Sequence, residues 1–81
     1  MNTAFTEIDV HGMTRTQAKT ALQAALRRAS PGTYRIRVIH GYHGGTGLRD
    51  LVRREIARDP KILRTEIGLN PGQTDLILRE L

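Results

Sequence analysis

Twice in 81 residues an alternating apolar run ends in His-Gly and gives way to a helical stripe, at Ile8-Asp9-Val10-His11-Gly12 and again at Arg37-Val38-Ile39-His40-Gly41. That repetition narrows the fold more than any other feature. Two strands of one kind separated by a helix are expected to lie parallel, because the helix is the crossover that parallel neighbours need. Glu7 to Val10 sets Ile8 and Val10 against Glu7 and Asp9, the period of a half-buried strand. Thr14 followed by Gln17 is a capping box. From there Ala18, Ala21, Leu22, Ala25, Leu26 and Ala29 recur at steps of three and four until Ser30-Pro31-Gly32 stops the helix.

The second half repeats the logic. Tyr34 to His40 alternates, with Ile36 and Val38 opposed to Arg35 and Arg37, and predicts a second strand. Leu48, Leu51, Val52 and Ile56 mark a second amphipathic helix, closed by Asp59-Pro60. Ile62 to Leu69 and Gln73 to Leu81 predict a terminal hairpin around the turn Asn70-Pro71-Gly72. The order β-α-β-α-β-β predicts an α/β two-layer sandwich: a four-stranded mixed sheet with two helices on one face. One domain over 1–81 is expected, with 1–5 flexible. The bare sheet face is expected to carry Glu7, Asp9, Arg35, Arg37, Arg64, Glu66 and Arg79, a mixed-sign array whose arginines pair across strands.

Charge enters next. The formal net charge is +5, and eleven of the thirteen basic residues are arginine. Arginine's planar fork matches phosphate oxygens two at a time, which favours a polyanion partner, DNA or RNA. Phe5, Tyr34 and Tyr42 are too few for a platform that stacks single strands base by base. With no cysteine there is no disulfide and no thiolate metal site. No apolar run nears the roughly 20 residues of a membrane span, and Met1 to Thr6 carries no leader signature, so a cytoplasmic setting without membrane contact is expected. Oligomeric state is left open.

Both His-Gly pairs fall at carboxyl ends of strands, just before helices, where α/β sheets place their ligands. Two helix N-termini beside them would favour an anion. Arg15 and Arg49 sit in first helical turns, where the dipole disfavours cations, which marks them as phosphate contacts. Gly12, Gly41, His43, Gly44, Gly45, Thr46 and Gly47 complete the candidate phosphate cradle. It is not a P-loop, since Leu48 rather than lysine follows Gly47. His11 and His40 suit proton transfer near neutrality, and Asp9 shares His11's strand face. Asp9 would orient that imidazole, hold magnesium or manganese, or simply accept a strand-end N–H. His40 has the parity of Ile36 and Val38, which also suits a packed structural histidine. Zinc at His11, His40 and His43 lacks any standard ligand spacing.

These residues resemble the Smr (small MutS-related) domain family. IDVHGMTRTQA at 8–18 looks like its first motif, VIHGYHGGTGLR at 38–49 like its second, and NPGQTDLILREL at 70–81 like its closing segment. The resemblance implies a fold similar to the C-terminal domain of translation initiation factor three, nucleic-acid binding, and nicking of DNA or cleavage of RNA, sometimes with a divalent metal. Asp9, His11 and Gly12 match the first motif; His40, Gly41, the loop glycines, Leu48 and Arg49 match the second. The sequence departs from the family pattern at Gln17, where Glu is common, and at Tyr42-His43, where a basic residue and a glycine are usual. The expected function is therefore an endonuclease using His40, His11 and Asp9. The alternatives are a binding module for structured RNA or branched DNA without turnover, and a protein-interaction adaptor suggested by the mixed-sign face.

Overall fold

The computed structural model describes residues 4–41, 47–68 and 70–80. Strand β1 (Phe5–Asp9) leads to helix α1 (Arg15–Arg28), strand β2 (Arg35–Ile39), helix α2 (Gly47–Asp50), and strands β3 (Arg64–Glu66) and β4 (Gln73–Ile77). The sheet order is β1-β2-β4-β3, with β1 and β2 parallel and the other pairs antiparallel, so the mixed four-stranded sheet is as expected.

Helix α1 starts where its capping box dictates. Thr14 accepts from the Gln17 amide at 3.1 Å, and the Gln17 side chain accepts from the Thr14 amide at 3.0 Å. Its stripe buries Ala18, Leu22 and Leu26. These join Ile36 and Val38 of β2, Leu76 of β4 and Leu51, Val52 and Ile56 of the second helical segment in one core. Register sets Ile8 opposite Val38 and Ile36 opposite Leu76, so the even-numbered residues of β1, β2 and β4 face the helices, while in β3 it is Thr65, opposite Leu76, that does.

Several boundaries differ from the sequence reading, among them the end of β4, at Ile77 rather than Leu81. Phe5 pairs with Arg35, and the Ala4 carbonyl accepts from the Tyr34 amide at 2.9 Å, so β1 begins two residues before the alternation that starts at Glu7. The Phe5 ring lies under the Arg37 guanidinium, 4.9 Å away, which gives that end a contact the alternation pattern did not include. The second helix is not uniformly α: after Asp50 it widens into a π-turn (Leu51–Glu55), where the Ile56 amide donates to both Leu51 and Val52 carbonyls, and it closes as a 3₁₀ turn (Ile56–Arg58). Strand β3 is three residues rather than eight, because Ile67 and Gly68 leave the ladder.

The bare face is an ionic lattice. Asp75 accepts from Arg35 at 2.5 Å and from Arg37 at 3.0 Å; Glu66 accepts from Arg35 at 2.9 Å. Arg64 bonds Glu66 at 2.9 Å and also pairs with Glu80. Cross-strand pairing accounts for Arg35 and Arg37, as the alternating charges implied, whereas Arg64 bonds within its own strand and to the chain after β4. No helix of the described residues is long and apolar enough to cross a membrane.

Candidate functional site

Where β1 and β2 end, each chain turns through a glycine in the left-handed region, Gly12 at φ +79° and Gly41 at φ +73°. A side chain there would be strained, so the backbone reversal from strand to helix explains why glycine follows histidine both times. The two turns lie side by side: a Cβ built on Gly41 would sit 3.6 Å from the His11 Cβ.

Asp9 and His11 form an exposed dyad. Asp9 Oδ1 accepts from the His11 backbone amide at 3.0 Å and meets its ring Nδ1 at 2.5 Å. Side-chain exposure is 49% for Asp9 and 68% for His11, so the dyad opens to solvent. The hydrogen bonds from His11 hold the Asp9 carboxyl below the usual carboxylate range. With Asp9 taking the Nδ1 proton, Nε2 is the nitrogen that carries the lone pair in the neutral ring.

His40 occupies a different environment. It is 4% exposed, on the core side of the strand end. Its Nδ1 donates to the Gly41 carbonyl at 2.8 Å, and its Nε2 accepts from Thr74 Oγ1 at 2.9 Å. Thr74 in turn accepts from Arg53 Nε at 3.0 Å, so one set of proton positions satisfies the whole chain with His40 neutral. Burial pushes the His40 pKa down, with Arg53 and Arg49 adding repulsion, while the Gly41 carbonyl opposes the shift. His11 thus faces solvent with Asp9, whereas both nitrogens of His40 are engaged inside the fold, as the parity it shares with Ile36 and Val38 allowed.

The cations divide as well. Arg15 pairs with Glu55 and donates to the Gly47 carbonyl at 3.3 Å, which ties the start of α1 to the second helical segment. That contact offsets the cost of a cation at the positive end of the helix dipole. Arg49 is 37% exposed beside Asp50. Arg53, one turn further on, was not singled out from sequence, although its four-residue step from Arg49 could have shown it. Arg53 donates to the same Thr74 hydroxyl that bonds His40, and burial, then repulsion from Arg49, lowers its pKa. His43, Gly44, Gly45 and Thr46 lie outside the described residues.

Among the described residues no three His, Cys, Asp or Glu side chains gather as metal donors. Asp9 Oδ1 already accepts twice from His11, so this donor set forms no dedicated magnesium or manganese cage.

The Smr domain family matches residues 8–71, most of the chain. No curated protein matches it. Among solved structures, the Smr domain of Thermus thermophilus MutS2 superposes with a TM-score of 0.82 at 28% identity, covering 93% of this chain and 99% of that one. Motif, topology and superposition agree, and the chain belongs to the Smr domain family.

Proposed function

We propose that the chain binds nucleic acid at the carboxyl edge of its sheet and cleaves a phosphodiester there, with His11 as general base. One observation supports the reading above all: Asp9 grips His11 through Nδ1 on a ring open to solvent, which fixes its orientation and leaves Nε2 for a substrate proton. Nε2 takes the proton of an attacking hydroxyl, from water on DNA or from the 2′-hydroxyl on RNA. The new O–P bond forms as the bond to the leaving oxygen breaks, and the leaving oxygen is protonated by solvent at this open edge. Asp9 stabilises the imidazolium, and Arg49 and Arg53, on the helical segment that follows the second His-Gly turn, would supply positive charge for the phosphate. His40 sets the Gly41 turn against which His11 rests and is assigned no proton transfer.

Labelled plasmid and structured RNA, incubated with and without EDTA, test this. Wild type should cleave one of them, and His11→Ala should cut about 100- to 10,000-fold more slowly with little change in affinity. A second reading, a binding module for structured RNA or branched DNA, is favoured by the engagement of both His40 nitrogens, which leaves His11 as the one free imidazole among the described residues. It predicts steeply salt-dependent binding without cleavage.

A further inference from the structure

Strands β1 and β3 are the two edges of the sheet. On β3 the flanking Leu63 and Ile67 are 56% and 60% exposed. Large apolar side chains beside an unpaired strand edge form a template for another strand. What that edge accepts is written in its order, Leu63-Arg64-Thr65-Glu66-Ile67, which is its own complement when reversed. Antiparallel about Thr65, each Arg64 faces the other copy's Glu66 and each Leu63 its Ile67. Charged pairs then fall on one face and apolar pairs on the other, because side chains alternate. A parallel pairing would set Arg64 against Arg64. The other edge lacks this symmetry: β1 reversed about Glu7 sets Glu7 on Glu7 and Asp9 on Phe5.

The lattice on the bare face leads to the same place. Arginine–carboxylate pairs run from β2 through β4 to β3, where Glu66 bonds Arg35 and Arg64, and Arg64 bonds Glu80. A second Arg64 and Glu66 across the edge would continue the alternation of sign. We propose that a second copy of this chain docks antiparallel on β3, joining two sheets into one about a two-fold axis through Thr65. Both helix layers then lie on the same side, and the two His11 edges point to opposite ends. The contact is a short strand edge, smaller than a standard interface, so association is weak and concentration-dependent.

Sedimentation equilibrium from about 10 µM to about 1 mM decides it. Wild type should shift from monomer towards dimer over that range. Arg64→Glu and Glu66→Arg should each weaken association about tenfold or more, since both symmetric pairs become like-charged. An equimolar mixture of the two variants should recover it, as each supplies the sign the other lost; altered bonding within one chain cannot produce that recovery. Ile67→Lys, at an exposed position, should weaken association with the intrachain ion pairs intact. A wild type that stays monomeric, single variants that associate as well as wild type, or a mixture that stays monomeric overturns the proposal.

Discussion

At the scale of single residues, the two histidines of one repeated motif have opposite fates because strand parity separates them. His11 has the odd parity of Asp9 and reaches solvent; His40 has the even parity of Val38 and enters the core. The sequence carried that difference, since Asp9 was visible two residues before His11 and His40 shared the spacing of Ile36 and Val38. It did not carry the Thr74 and Arg53 contacts, which come from 34 and 21 residues apart along the chain. The lowered His40 pKa has a signed consequence. Below the ordinary imidazole value of about 6.5 the unfolded chain binds a proton that the folded chain refuses, so stability falls as pH falls through that region. Urea midpoints at pH 7.5 and 5.5 should show this loss in wild type and less of it in His40→Asn. Equal pH dependence in the two proteins would count against a buried neutral His40.

At the scale of elements, local signals placed α1 well. Thr14 and Gln17 cap each other reciprocally, and Thr14→Ala should cost about 1 kcal/mol in chemical denaturation. The second helical segment was harder to read. Leu51, Val52 and Ile56 fit an α-stripe, yet five residues separate Leu51 from Ile56, and a π-turn lets both enter the core. Arg15, expected from its position against the dipole to meet phosphate, is also held by Glu55 and the Gly47 carbonyl, on an element that sequence spacing could not place beside it. The loop at 42–46, where several candidate contacts fall, is outside the described residues.

At the scale of the molecule, alternation and turn chemistry specified the two layers and the mixed sheet, while the strand order required tertiary pairing. Asp75 is the clearest example. It stood opposite Leu76 in the strand pattern, but its role as the acceptor shared by Arg35 and Arg37 depends on β4 lying beside β2. Burial raises its pKa, yet the hydrogen bonds from Arg37 and Arg35 outweigh that and hold it below the usual carboxylate range. Its contribution is therefore complete above the unfolded carboxylate value and is lost as acid protonates the folded group. Asp75→Ala should cost about 2 kcal/mol near neutrality, with a smaller difference from wild type at low pH, as read by denaturant midpoints. The division of labour is then complete: one face stabilised by ion pairs, one by the core, and a carboxyl edge where an oriented imidazole meets solvent. Single-turnover cleavage by His11→Ala and His40→Asn, each checked for folding, tests that assignment most directly. The account predicts about a 100-fold or greater loss for His11→Ala and a rate within about tenfold of wild type for His40→Asn; a His11→Ala protein that cleaves at the wild-type rate contradicts it.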